Sequence, residues 1–231
     1  MEIKIIGSGS SGNCYIISDG YTKLMLDCGL PYKTILKGIG FAPFEIAGCL
    51  ITHSHGDHVK GAKDLMRYTG IKFYMSKGEQ TAARLKCYNA VHKEVFEIGT
   101  FQVLPFSVHH DTPEPLGYCV KSLKTDEKLL YFTDTYYIDY RIPELTHIIC
   151  ECNYSKEILQ KNVNSGIVNK ALAQRLLFSH MSLEHLIEYF KQNDTSKLKQ
   201  VWLCHLSDAN GDENVFKTEI QKATGAEVYV C

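Results

Sequence analysis

The 231-residue chain is 45% hydrophobic and 22% charged with a formal net charge of −1, ordinary for a globular protein and enough to bury one substantial core or two small ones. It has no low-complexity tract and no apolar run of about 18 residues, so no membrane-spanning helix is expected. A charge this close to zero excludes a global field for polyanions and leaves local patches only. Residues 156–200 set Lys156, Lys161, Lys170, Arg175, Lys191, Lys197 and Lys199 against Glu157, Glu184, Glu188 and Asp194, an excess that two solvated helix faces explain equally well.

In chain order, residues 3–6 read as a strand, and nothing before them has the architecture of a cleavable signal. The nine cysteines are scattered, and Cys49, Cys119, Cys150 and Cys204 lie inside apolar runs. That pattern predicts buried free thiols in a reducing compartment, and so a cytoplasmic protein. A glycine-serine loop over 7–13 leads into a strand at 14–17, and Asp19-Gly20 signals a hairpin before a strand over 23–29. The loop lacks the Lys-Ser/Thr ending of a phosphate cradle and reads as a turn bringing backbone towards residues 52–58. Asp27 is expected as a hydrogen-bond acceptor behind that segment.

Residues 31–40, 59–69 and 77–86 have helical spacing, with short strands at 48–51 and 71–75. One or two strands over 95–108 end at His109-His110-Asp111, and strands at 116–122 and 128–132 flank a turn at 124–127. A strand at 148–150 ends at Glu151. Helices follow over 155–163, 168–178 and 183–192, then a strand at 201–204, a helix over 212–223 and a strand at 227–230. Five strand-like segments end in a polar group, at Asp27, His53, His110, Asp134 and His205. Independent core positions would not repeat that pattern.

The densest chemistry lies in Leu50–His58, where His53, His55, Asp57 and His58 fall within six residues directly after an apolar strand. Imidazole nitrogens and a carboxylate oxygen are the donors that borderline divalent metals favour. The alternative, a polar turn that happens to be histidine-rich, sits poorly with three of the chain's ten histidines in one such stretch.

With His53–His58, the chain carries in order Gly9–Tyr15, Leu26–Gly29, His110-Asp111 with Pro115 and Gly117-Tyr118, Thr133–Thr135, His180–Ser182 and His205–Ser207. In these residues it resembles the metallo-β-lactamase superfamily over nearly its whole length, in the YycJ/WalJ-like branch related to RNase Z, RNase J and small phosphodiesterases. The resemblance implies an α/β fold, an αββα sandwich in a single domain over residues 1–231, with two divalent metal ions at one edge. One ion would take His53, His55 and His110, the other Asp57, His58 and His205, with Asp134 bridging. Zinc or manganese suits this set, and iron is a third candidate. On a regular strand only one of His109 and His110 can face the site, and the family places its ligand directly before the Asp, which points to His110. His92, His147 and His185 have no motif context.

Asp57 is counted among the catalytic residues as well as the ligands, together with Glu151 and His180. In phosphodiesterases resembling RNase Z, an acid and a histidine in this order donate a proton, and a sugar oxygen leaves poorly without one. The alternative for His180 is a helix N-terminal residue with Ser182 as its cap. Two departures stand out. The family's Asp-Thr-Gly is here Asp134-Thr135-Tyr136, which removes glycine's backbone freedom from the bridging turn. The long tRNA-holding arm of RNase Z also has no room here.

The resulting expectation is a dinuclear metal-dependent hydrolase, a phosphodiesterase or nuclease that uses a metal-bridging hydroxide and a histidine general acid. A glyoxalase II-type thioesterase shares the ligands but does not need Glu151 and His180. A non-catalytic metal-stabilised module is disfavoured by the complete ligand set. The expected partner is a nucleic acid or a nucleotide phosphodiester, with no membrane and with a homodimer as an allowed assembly. DNA against RNA, and endo- against exo-cleavage, stay open.

Overall fold

Glu2–Gly7 (β1) alternates exposed and half-buried positions, whereas Cys14–Ser18 (β2) and Lys23–Leu26 (β3) are buried almost throughout, as strands covered on both faces are. They belong to a computed structural model that describes residues 1–231. The chain gathers into two compact units, Met1–Ser107 with Thr112–Glu127, and Val108–Asp111 with Lys128–Cys231.

In the first unit, β1, β2 and β3 pair antiparallel, and Ile46–Leu50 (β4), Lys72–Met75 (β5) and Tyr88–Asn89 (β6) extend the same sheet in parallel, in sequential order. Helices Tyr32–Gly38 (α1), Gly56–Val59 (α2), Ala62–Tyr68 (α3) and Lys77–Ala83 (α4) fill the crossovers. Ile35 of α1 and Leu65 of α3 join Met25, Cys49, Ile51 and Phe73 in one apolar cluster. Phe96–Ile98 (β7), Phe101–Ser107 (β8) and Leu116–Ser122 (β9) form an antiparallel meander. Segment 95–108 is therefore two strands, turned at Gly99, whose φ of 59° suits glycine.

In the second unit, Lys128–Phe132 (β10), His147–Glu151 (β11), Gln200–Cys204 (β12) and Glu227–Val230 (β13) pair in parallel in chain order. Lys156–Asn164 (α5), Lys170–Ser179 (α6) and Leu183–Gln192 (α7) lie between β11 and β12, and Glu213–Thr224 (α8) between β12 and β13. Helix α7 buries Leu183, Leu186 and Phe190, and α8 buries Phe216, Ile220 and Thr224, the three- and four-residue spacings of helices with one apolar stripe. No helix is long and apolar enough to cross a membrane.

The predicted helix over 59–69 is in fact α2 and α3 with a break at Gly61. Lys60 and Gly61 keep right-handed helical angles, but the Gly61 N–H is diverted to Cys28 O at 2.9 Å, and a Cβ there would lie 2.7 Å from Leu30 O, so residues 28–30 interrupt the helical hydrogen-bond ladder. The first of the two begins at Gly56, so Asp57 and His58 sit in the first turn of α2 rather than on a loop before a helix. The two-residue β6 has no sequence signal, and helix 77–86 stops at Ala83 because Arg84 turns left-handed at φ 54°. All nine cysteines are free thiols, seven of them buried. Burial pushes the Cys14, Cys49, Cys150 and Cys152 thiols far up and those of Cys87 and Cys231 to about 12, which keeps them unreactive.

The glycine-serine loop does approach residues 52–58. Asn13 N–H donates to Asp57 O and Gly29 N–H to Asn13 O, both at 2.8 Å. A Cβ on Gly29 would lie 1.6 Å from Asp57 O, a distance no adjustment of side chains relieves. Gly29→Ala should therefore cost about 3 kcal/mol or more and lower the thermal unfolding midpoint by roughly 6 °C or more. Gly56→Ala is the control, since nothing lies within 4 Å of its Cβ position. Equal midpoints for the two variants, by calorimetry, would contradict this packing.

Candidate metal centre

In the first unit a single buried carboxylate organises the histidine segment. Asp27 follows β3 at φ 54°, a left-handed conformation that aspartate tolerates at a cost of about 1–3 kcal/mol. It is wholly buried. Its Oδ1 accepts Thr52 N–H at 2.8 Å, its Oδ2 accepts His58 Nδ1–H at 2.8 Å, and Thr52 Oγ1 donates to the carboxylate at 3.0–3.1 Å. The Thr52 hydroxyl proton being used in this way, its oxygen accepts His53 Nδ1–H at 3.0 Å. Both imidazoles thus carry their proton on Nδ1 and their lone pair on Nε2, the arrangement of a metal-ligating histidine held by a carboxylate from behind. The His53 ring centroid lies 4.0 Å from that of His58 and 4.9 Å from that of His55, and His58 Nε2 lies 3.5 Å from Asp57 Oδ2.

Two further side chains complete this half, Asn13 within the Gly9–Tyr15 segment and Glu79 outside the segments that carry the resemblance. Asn13, buried, takes Gly9 N–H on Oδ1 and sets Nδ2 3.2 Å from His58 Nε2. Glu79 is buried on α4, and its two oxygens accept Ser54 N–H at 2.7 Å and Glu114 N–H at 2.8 Å, anchoring the backbone between His53 and His55.

In the second unit, three adjacent parallel strands deliver polar groups at their carboxyl ends, where open α/β sheets place their sites. Asp134 follows β10 at φ 49°, Glu151 closes β11, and His205 follows β12 at φ 54°. His180 enters from the end of α6. Its segment is stitched to the strand end by Met181 N–H to Glu151 Oε2, Asn153 N–H to Met181 O and Leu183 N–H to Tyr154 O, at 2.8–2.9 Å. Glu151, wholly buried, accepts His180 Nδ1–H at 2.6 Å and lies 3.1 Å from His205 Nδ1, both on Oε1. Asp134 Oδ1 lies 3.4 Å from His180 Nδ1 and 3.9 Å from His205 Nε2. Potential ligand atoms of Asp134, Glu151, His180 and His205 all fall within 4.8 Å of one another. Asn153 Nδ2 donates to His205 O at 2.8 Å and holds that residue's left-handed backbone.

Electrostatics separate the roles within this half. Burial alone would push the Glu151 carboxyl up, but the charge and hydrogen bond of His180, with the hydrogen bond to His205, hold it below its ordinary value. For His180, burial works against the charged form, yet the Glu151 carboxylate and then Asp134 raise the imidazole above its ordinary 6.5. Its Nδ1 is committed to Glu151, so Nε2 is the nitrogen left to face a substrate.

Of the adjacent histidines, His110 has a side chain only 3% exposed, with its ring 6.3 Å from that of His180, whereas His109 is 40% exposed and bonded to Asp139 at 2.6 Å. The left-handed residue of the Asp134-Thr135-Tyr136 turn is Asp134 itself, and Tyr136 is not left-handed. His185 Nδ1–H donates to Tyr136 O at 3.1 Å and Thr135 Oγ1 to Tyr137 O at 2.8 Å, fixing the turn. His147 is buried against Thr146, and His92 accepts Ser107 N–H.

The donor set fits divalent metal ions: neutral imidazoles with fixed tautomers and carboxylates, backed by buried acceptors. Comparisons agree. The Metallo-beta-lactamase superfamily model matches residues 7–86. The chain is 32% identical over 228 residues to exodeoxyribonuclease WalJ of Streptococcus pneumoniae serotype 2, spanning 90% of this chain and 82% of that one. It is 26% identical over 239 residues to exodeoxyribonuclease YycJ of Bacillus anthracis, spanning 96% and 88%. Among solved structures, the metallo-beta-lactamase fold protein YhfI from Bacillus subtilis superposes with a TM-score of 0.76 at 16% identity, over 99% of this chain and 95% of that one.

In metal-free protein, NMR should show His180 keeping its proton at pH values above 6.5 and losing it only as pH rises through its raised value. Glu151→Gln removes the charge that raises it, so the titration should then move down to or below 6.5. An unchanged midpoint in Glu151→Gln would show that the carboxylate does not control this proton.

Proposed function

The chain belongs to the metallo-β-lactamase superfamily, and we propose that within it this protein is an exodeoxyribonuclease working with two divalent ions. The family and the two exodeoxyribonuclease relatives make it a metal-dependent hydrolase of the nuclease and phosphodiesterase class. The finer reading treats residues 1–231 as one catalytic domain. His53, His55 and His110 would hold one ion, Asp57, His58 and His205 the other, and Asp134 both, with zinc or manganese as the ions. When bound, such ions supply Lewis acidity and an activated water.

The observation that carries the reading is the 2.6 Å bond from His180 Nδ1–H to buried Glu151. A sugar alkoxide is a strongly basic leaving group and departs readily only if protonated. A histidine whose charged form a buried carboxylate favours, with Nε2–H directed away from it, is the donor such a linkage needs. Thiolates leave without a proton, so a thioester hydrolase has no use for this pair. Glu151 acts through His180: it fixes the tautomer, turns the ring and stabilises its charge. Asp27 does the corresponding work for His53 and His58 by fixing which nitrogen bears the lone pair. Deoxyribonucleic acid and cleavage from a strand end come from the names of the two relatives, and divalent-ion chemistry from the donor set.

The test varies the leaving group. His180→Ala should lose roughly 10²–10⁴-fold on a DNA linkage, the range for a positioned general acid, and much less on a nitrophenyl phosphodiester, whose phenolate leaves unassisted. Glu151→Gln should show a smaller loss with the same pattern, and metal content should be unchanged in both. Equal losses on the two substrates would assign His180 to substrate positioning or folding and reopen the thioesterase reading.

A further inference from the structure

Helix α6 runs directly into His180, and its last turns carry side chains that the hydrolytic chemistry does not use. Phe178, two residues before His180, is 72% exposed, so most of its apolar area faces water. Arg175, 68% exposed, precedes it by three residues and so shares its face of the helix. The Tyr136 ring, two residues beyond Asp134, meets the Phe178 ring edge-on at 6.3 Å and an 80° angle, and lies 5.2 Å from His109. An aromatic row of His109, Tyr136 and Phe178 thus stands one or two residues along the chain from His110, Asp134 and His180, with a guanidinium on the same helix face as Phe178. Arg175 is held only by a 3.8 Å pairing to half-exposed Asp111, and an ion pair so open to water constrains it weakly.

We propose that Phe178, supported edge-on by Tyr136, is the stacking platform for an unpaired base next to the scissile linkage, and that Arg175 takes a neighbouring phosphate. The inference rests on the phosphodiesterase reading and names how its substrate strand is held. A solvent-exposed ring that meets a second ring edge-on presents a flat face, which any base can cover, while an exposed guanidinium meets the backbone phosphate. That combination of sequence-tolerant stacking and point charge is how single strands are bound. A purely apolar partner would leave Arg175 without a role. A strand with an unstacked terminal base satisfies both side chains and brings its phosphodiester to His180.

The experiment measures affinity of the metal-loaded full chain for a hydrolysis-resistant phosphorothioate single-stranded DNA by fluorescence anisotropy. In parallel it measures turnover of methyl nitrophenyl phosphate, which has no base. Phe178→Ala should weaken DNA binding by roughly 5- to 150-fold, the range for one lost base stack, with ester turnover unchanged. Phe178→Trp should retain binding, and Phe178→Leu should behave like the alanine variant. Arg175→Gln should weaken binding and reduce the salt dependence of log affinity by about 0.7. Unchanged DNA affinity in Phe178→Ala would overturn the platform, as would full binding by Phe178→Leu or a matching loss of ester turnover. Failure of the wild-type protein to hydrolyse natural DNA, read separately, would count against the nuclease reading and not against this binding result.

Discussion

A wholly buried carboxylate that orients imidazoles, Asp27 in one unit and Glu151 in the other, is the constraint on which the rest depends. Asp27 directs His58 outright and His53 through Thr52, and Glu151 directs His180 and lies against His205. Both acids are wholly buried, so each would be costly without partners, and each is supplied with donors from backbone and side chains, Asp27 with a hydroxyl among them. The result is three imidazoles with assigned protons, His53, His58 and His180, and a fourth, His205, set against the second carboxylate. A metal ligand must present a lone pair and a general acid must present a proton. The same device serves both needs, differing only in which nitrogen is left over and how much negative charge surrounds the ring.

The scaffold delivers these groups by a shared route. Parallel strands β3 and β4 in one unit, and β10, β11 and β12 in the other, end where a functional residue begins. At three of those ends the residue is left-handed: Asp27, Asp134 and His205, at φ 54°, 49° and 54°. Aspartate and histidine are among the side chains that tolerate this region, and each such residue costs about 1–3 kcal/mol. The surrounding hydrogen bonds hold them there, Asn153 on His205 and Thr52 on Asp27. Strain at the strand ends turns the side chains away from the direction an extended strand would give them.

Much of this was legible in the residues. The alternation of apolar runs and helical spacing placed nearly every element, and polar groups closing five strand-like segments pointed to the residues that the two halves gather. Asp27 was identifiable as an acceptor because it ends a strand facing a histidine segment. The break at Gly61 was not, because it is caused by the carbonyls of Cys28 and Leu30, distant in sequence. Glu79 was masked by a misleading signal. Ser76-Lys77-Gly78-Glu79 has the spacing of a helix capping box, and Ser76 does accept Glu79 N–H, but the carboxylate reaches Ser54 and Glu114 instead. Asn153 carries no pattern at all, since its role is to hold one backbone carbonyl. At the turn where Tyr136 stands in place of the family's glycine, the left-handed residue is Asp134, which no local pattern marks.

The central claim is that these donors serve a divalent ion that hydrolyses a DNA phosphodiester. Its most direct test is to strip purified protein with a chelator, restore zinc or manganese, and follow a DNA strand labelled at one end, with elemental analysis alongside. The account predicts that hydrolysis disappears with the metal, returns with it, and comes back with close to two ions per chain, the number a two-metal hydrolytic site holds. Hydrolysis that persists in metal-free protein, or metal-loaded protein that leaves DNA intact while cleaving a thioester, would contradict it.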